Sequence, residues 1–236
     1  MQKLSLLDYP DMVSAIIFTK GCNFKCPFCQ NSNLIENKIN EEDINEDEVL
    51  EYLNKRKKVL DGLVISGGEP TLQKDLKQFI KKVKKIGLKV KLDTNGFNPK
   101  IIRELIDENL VDYIAMDVKN EFCKYNTTCG MKSINTKNIL ESIKILESSN
   151  IEYEFRTTIT KEFHDINSIK EILKIIGNKP KYFLQNFCLS DNVLDKSIHG
   201  FTYQELVDIL DNLKDEYQNV NIRDLYKAKK GDEVHV

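Results

Sequence analysis

The stretch GLVISGGEPTLQKDLKQFIKKVKKIGLKVKLDT, Gly62–Thr94, decides the fold. It opens on an apolar, β-rich run, Gly62–Ser66, and bends through Gly67-Gly68-Glu69-Pro70. The period then changes. From Thr71 to Ile86 the apolar residues Leu72, Leu76, Phe79, Ile80, Val83 and Ile86 fall on one helical face, with lysines opposite. Pro70 suits the first turn and Gly87 suits the stop. A second β-rich run, Leu88–Thr94, follows. Strand, helix, strand in this order is one βαβ unit, which requires a parallel pair and a right-handed crossover.

The same alternation continues in both directions. Further β-rich runs lie at Val13–Thr19, Asp112–Val118, Glu152–Ile159, Lys181–Phe187 and Val220–Arg223. Helical periods lie at Asn138–Glu147, Asp165–Ile176 and Thr202–Tyr217, and Asn98-Pro99 opens another. Six or seven units fit in 236 residues, short of the eight of a closed (β/α)8 barrel, which needs about 250. The expected architecture is therefore α/β: a partial, open (β/α)6-type TIM barrel, with a doubly wound open sheet as the alternative. One domain over 1–236 is expected, its core at about 10–190 and a C-terminal strand and helix extension over 191–236. In either architecture the chemistry belongs at the C-terminal ends of the strands.

The residues that carry chemistry stand at those ends. Cys22, Cys26 and Cys29 follow the first strand, Gly67-Gly68-Glu69-Pro70 the second, and Asp93-Thr94-Asn95-Gly96 the third. Asp117-Val118-Lys119 ends the fourth, and Arg156 lies in the fifth. Parallel strands would bring all five groups to one mouth.

Three thiolates within eight residues suit a compact metal centre. Iron–sulfur clusters of four irons usually take four cysteines, so three leave one iron open to an exogenous ligand. A structural zinc site wants four closed ligands, and His164, His199 and His235 all lie far away in sequence. The spacing favours a cluster over a zinc knuckle with a distant fourth ligand. Cys123 and Cys129 lie in an expected loop, without the further cysteines of a second cluster, and read as structural or incidental.

Composition narrows the classes. With 35 Lys+Arg against 37 Asp+Glu the formal net charge is -2, without the basic excess of a nucleic-acid-binding protein. Apolar runs such as Ala15–Phe18 are too short to cross a membrane, and no secretory leader is recognisable near the N-terminus, which points to the cytoplasm. The lysine runs Lys55–Lys58, Lys81–Lys85 and Lys227–Lys230 read as solvated surface.

The CxxxCxxC spacing, with Phe28 before the last cysteine, resembles the signature of the radical S-adenosylmethionine (SAM) enzymes, and Gly67-Gly68-Glu69-Pro70 resembles their GGEP motif. Asp8-Tyr9-Pro10, Gly21–Asn31, Ser66–Gln73, Lys91–Gly96, Ala115–Lys119 and Tyr153–Thr158 extend the likeness to the glycyl-radical-enzyme activating enzymes. Among these the chain is most similar to activating proteins of anaerobic ribonucleoside-triphosphate reductase.

The resemblance implies one [4Fe–4S] cluster on Cys22, Cys26 and Cys29, with SAM chelating the open iron. It implies reductive cleavage of SAM, and use of the 5′-deoxyadenosyl radical to make a glycyl radical on a partner enzyme. That partner is an anaerobic ribonucleotide reductase or an enzyme of the pyruvate formate-lyase type. A flavodoxin or ferredoxin-type reductant is implied as electron donor. The SAM contacts implied are Phe28, Gly67, Gly68, Glu69, Asp93, Thr94, Asp117, Lys119 and Arg156, with a monovalent cation on Asp93, Thr94 and Asp117 as an option. No catalytic residue is expected beyond the cluster and SAM. Gln185 and Cys188 stand near where many activating enzymes place a histidine. The alternatives are a radical SAM enzyme acting on a small molecule, similar to 7-carboxy-7-deazaguanine synthase, and a non-enzymatic metal-binding or electron-transfer protein.

Overall fold

A computed structural model of the chain describes residues 1–36 and 43–223. Lys227–Lys230, His235 and the end of the expected extension lie outside the described residues. In chain order the elements are β1 (Gln2–Ser5), β2 (Ser14–Thr19), α1 (Glu46–Arg56), β3 (Gly62–Gly67), α2 (Leu76–Ile86) and β4 (Lys89–Thr94). Then come α3 (Pro99–Asp107), β5 (Tyr113–Asp117), α4 (Tyr125–Thr128), α5 (Thr136–Ser148), β6 (Glu152–Ile159), α6 (Ile166–Ile176), β7 (Lys181–Asn186), α7 (Tyr203–Lys214) and β8 (Val220–Arg223).

The eight strands form one sheet in sequence order, with β1 and β8 at its two edges. β2 to β8 pair in parallel and only β1 is antiparallel, against β2. The sheet does not close, so the partial-barrel expectation holds. α7 and β8 extend the six-stranded core β2–β7.

Alternation along each strand sends residues to opposite faces. Leu63, Ile65, Leu92, Ile114, Phe155 and Leu184 belong to the large apolar core, together with the buried sides of the helices. Their neighbours Ile16, Val64, Tyr113 and Ala115 form a second, smaller cluster with Tyr9 on the inner face of the barrel. The loop carrying Tyr9 thus plugs the interior below the polar ends of the strands.

β1, α1 and the start of α2 differ from the sequence reading, and the short α4 lies in the segment expected as a loop. β1 was not anticipated: Gln2, Lys3 and Leu4 are exposed, so the strand carries no buried apolar alternation to reveal it. α1 was also missed, because it buries only Val49 and Leu53, although Asn45 caps it through the Glu48 N–H. The helix expected from Thr71 instead starts at Leu76, after a tight 3₁₀ turn at Pro70–Leu72. Glu69 accepts from the Thr71 N–H and Gln73 donates to the Lys20 carbonyl, which holds the turn against the β2 loop. Leu72 therefore ends 41% exposed, not on the buried helical face.

Candidate active site

The groups that end β2 to β7 on the inner face line one cavity of about 330 Å³. Cys22, Cys26, Phe28 and Cys29 form one wall of it, with Gly67 and Gly68 beside them. Asp93, Thr94, Asp117, Lys119 and Arg156 form its polar wall. Gln185 also lines it; Cys188 does not, and is exposed. Of the cluster ligands and SAM contacts that the resemblance implies, only Glu69 is absent from the lining.

Glu69 is fully buried and organises the loops around it. One carboxylate oxygen accepts from Thr71 N, Thr71 Oγ1 and Thr94 Oγ1, at 3.1, 2.5 and 2.7 Å. The other accepts from Asn95 N at 2.7 Å. Burial pushes its carboxyl above the ordinary value against the pull of these donors. Asn95 Nδ2 in turn donates to Asn23 Oδ1 at 2.8 Å, which ties the β4 loop to the cysteine loop.

The GGEP loop lies directly on the cysteine loop. Gly68 N donates to Thr19 O and Glu69 N to Gly21 O, both at 2.8 Å. A side chain at Gly68 would place its Cβ 2.2 Å from the Gly21 carbonyl oxygen, so only glycine permits this approach. Phe28 is buried, and its ring packs 5.9 Å from that of Phe163.

The polar wall is an alternating row of charges. Lys91 Nζ meets Asp93 Oδ1 at 2.6 Å. Asp93 Oδ2 meets Arg156 Nη1 at 3.4 Å and accepts from Ser66 Oγ at 3.1 Å. Arg156 Nε donates to Asp117 Oδ1, and Lys119 Nζ to Asp117 Oδ2, both at 2.9 Å. All four carboxylate oxygens are thus paired. Burial alone would raise both carboxyls; Arg156 with Lys91 holds Asp93 below its usual value, and Arg156 with Lys119 holds Asp117 well below. Burial disfavours the Lys119 ammonium, and Asp117 more than reverses this.

Sequence reasoning missed two residues that position this wall. Lys91 is 1% exposed and faces inward two residues before Asp93, so the period of a strand was its only signal. His164, also buried, has Nε2 at 2.9 Å from the Lys119 carbonyl oxygen, while Nδ1 accepts from Thr160 N at 3.2 Å. That pairing fixes the neutral tautomer with the proton on Nε2 and anchors the backbone of Lys119. Burial lowers the His164 pKa accordingly.

The thiols fit a cluster better than a single ion. Among the described residues no three His, Cys, Asp or Glu side chains converge on one ion position. Yet Cys22, Cys26 and Cys29 share one cavity wall, as ligands of separate irons would. Asn23 Nδ2, in the same loop, is buried without an acceptor among the described residues, a spare donor suited to an electron-rich group. Burial pushes the Cys22 thiol up to about 11 and raises that of Cys29, whereas a hydrogen bond from Cys129 outweighs burial and lowers that of Cys26. Cys123 is exposed, as an incidental cysteine would be.

An open parallel barrel with three thiols and a glycine loop at the strand ends defines a class of SAM-dependent iron–sulfur enzyme. The sequence profile of the radical SAM superfamily matches residues 16–176, and the chain belongs to that superfamily. Membership makes it a radical SAM enzyme and implies a [4Fe–4S] cluster and SAM.

Within the superfamily it is 40% identical over 191 residues to a Methanocaldococcus jannaschii protein provisionally named a glycyl-radical enzyme activating enzyme, covering 78% of this chain and 77% of that one. A GTP 3′,8-cyclase of Helicobacter pylori is 29% identical over 201 residues, covering 81% of this chain and 60% of the cyclase. Among solved structures, Streptococcus suis SuiB bound to its precursor peptide SuiA superposes with a TM-score of 0.72 at 17% identity. The match covers 92% of this chain and half of SuiB, and shows the shared fold. Among the described residues no helix is long and apolar enough to cross a membrane.

Proposed function

We propose that the chain is an activating enzyme that installs a glycyl radical on a partner protein. The observation that carries the proposal is the convergence of the three thiols, the GGEP loop and the charged wall on one cavity, in a chain 40% identical to a protein named for that role. Cys22, Cys26 and Cys29 would hold the [4Fe–4S] cluster, which supplies one low-potential electron to the sulfonium of SAM.

The protein's own part is binding and orientation. The N–H groups of Gly68 and Glu69 are turned back onto the cysteine loop, so carbonyl oxygens are what the GGEP loop offers a ligand ammonium. Arg156 and Lys119 provide positive charge for the SAM carboxylate, and Asp93 and Asp117 keep that charge in place. A monovalent cation at Asp93, Thr94 and Asp117 would share carboxylate oxygens that side chains already pair. Phe28 shields the cysteine wall from water. Bound there, SAM would supply the chemistry that removes hydrogen from a glycine Cα of the partner, and the unclosed sheet leaves a side through which a protein loop can enter. A flavodoxin or ferredoxin-type protein is the proposed electron donor.

A second reading, a small-molecule radical SAM enzyme, is favoured by the cyclase relatives and by a 7-carboxy-7-deazaguanine synthase of Hyperthermus butylicus, 32% identical over 92 residues. Anaerobic reconstitution with a strong reductant and SAM distinguishes the readings. The activating-enzyme reading expects 5′-deoxyadenosine and an electron paramagnetic resonance doublet on an added glycyl-radical enzyme. Cleavage of SAM with no doublet on any glycyl-radical enzyme encoded beside it would overturn that reading in favour of the second.

A further inference from the structure

The charged wall has a further buried acid beside it on the inner face. Asp93 pairs in register with Ala115, and Ala115 with Glu154, so the two acids flank one small residue on a single level of the sheet. Ala115 is buried there with Tyr9, Val64 and Tyr113, and its methyl group fills little of the gap between the acids. Glu154 is itself 1% exposed. Arg156 follows two residues later in β6, on the same face and level with Asp117. Its Nε holds Asp117 Oδ1 at 2.9 Å while Nη1 reaches back to Asp93 Oδ2 at 3.4 Å, on the level of Glu154. Burial disfavours the Arg156 charge, and Asp117, Asp93 and Glu154, in that order, more than reverse this. Glu154 is thus a third acid competing for one guanidinium.

The last strand occupies this competitor. Arg223 Nη2 donates to Glu154 Oε1 at 3.0 Å and to Oε2 at 3.1 Å, and the Tyr113 hydroxyl donates to Oε2 at 2.9 Å. Arg223 Cζ lies 4.4 Å from the centre of the Phe183 ring, so β7, which separates β6 from β8, supports the guanidinium on its way to Glu154. The superfamily profile ends at residue 176, so this contact comes from a strand beyond the shared region.

We propose that Arg223 is a positioning residue of the SAM site: by pairing Glu154 it leaves Arg156 to Asp93, Asp117 and the SAM carboxylate. The inference rests on the reading of Arg156 as a carboxylate contact. Without Arg223, buried Glu154 needs another cation, and Arg156, next on its own strand face, is the one that would turn. Glu154 lies one level deeper and does not line the cavity, so a guanidinium drawn to it is drawn away from the ligand.

The test measures SAM affinity by calorimetry on cluster-loaded wild type, Arg223→Met, Glu154→Gln and the double variant that carries both changes, with iron counted in each. Arg223→Met should weaken SAM binding about fivefold or more. Glu154→Gln alone should stay within about twofold of wild type, and the double variant should recover to the same range because the competing charge is gone. Arg223→Gln, which keeps a neutral donor, replaces Arg223→Met if the latter does not fold, with the same weakening and the same rescue expected. Unchanged affinity in a folded Arg223 variant overturns the proposal. So does a weakening that Glu154→Gln fails to relieve, since Arg223 would then act through its packing on Phe183. A wild-type protein that holds its iron but binds no SAM overturns the reading of the site itself.

Discussion

Replacing Lys91 by methionine isolates the contribution of one buried charge to the site. Methionine retains most of the apolar stem of lysine, so packing on the inner face changes little. What is removed is the ammonium, 2.6 Å from Asp93 and 5.9 Å from the centre of the Tyr113 ring. Asp93 keeps Arg156 at 3.4 Å and Ser66 at 3.1 Å, but its closest counter-charge is gone. Orphaning one member of a buried pair costs about 3–5 kcal/mol, and the remaining partners place this case near about 3 kcal/mol at neutral pH. In a chain of this size that lowers Tm by about 6–12 °C.

The pH dependence identifies the cause. In the wild type the Asp93 carboxyl is held below its unfolded value, so its contribution is present above about pH 4 and is lost as pH falls through the folded pKa. In Lys91→Met burial has less opposition and the folded pKa moves up. The penalty is then relieved as pH falls toward about 4, where the carboxyl takes a proton. Urea denaturation of anaerobically prepared protein from pH 8 to pH 4 should show the widest gap between the two proteins at high pH and a narrowing gap in acid, with unchanged m-values. A gap of constant size, or none, would refute the electrostatic reasoning.

Gly68→Ala drives a Cβ to 2.2 Å from the Gly21 carbonyl oxygen, so the GGEP and cysteine loops must part; SAM binding measured by calorimetry on the loaded protein should weaken at least about tenfold, and unchanged affinity would remove the loop contact from the account. His164→Gln should cost about 1–2 kcal/mol at pH 8. Burial depresses the His164 pKa, so the unfolded chain binds the proton first and wild-type stability falls as pH drops through about 6.5; the gap between wild type and variant should therefore shrink in acid, and a gap that widens would contradict the neutral, Nε2-protonated ring.

The barrel was legible because its helices and inner strands carry strong periods. α2 buries Leu76, Phe79, Ile80 and Val83 on one stripe, and β6 spans the residues its apolar run implied, Glu152–Ile159. Elements that bury little, such as β1 and α1, left no comparable pattern. Leu72 shows a local period overruled by a tertiary contact, since Glu69 and Gln73 bind the turn before the helix can begin.

At the site, residues that end strands could be read from topology alone, because parallel strands deliver their C-terminal ends to one place. Lys91 was hidden by its type: a lysine in a strand suggests solvent, and only the cavity's charge row shows why it faces inward. His164 acts on Lys119 across a long stretch of chain, through a contact that no spacing encodes. Glu69 lies in the motif that announced it, yet its contacts are with the loops rather than the cavity.

The most direct test is electron–nuclear double resonance on the reduced, cluster-loaded protein with SAM labelled by ¹⁵N in its amino group and ¹⁷O in its carboxylate. Three thiolates that leave one iron vacant predict magnetic coupling of both labels to the cluster. Bound SAM with no such coupling, or a fourth iron ligated by the protein itself, would contradict the account.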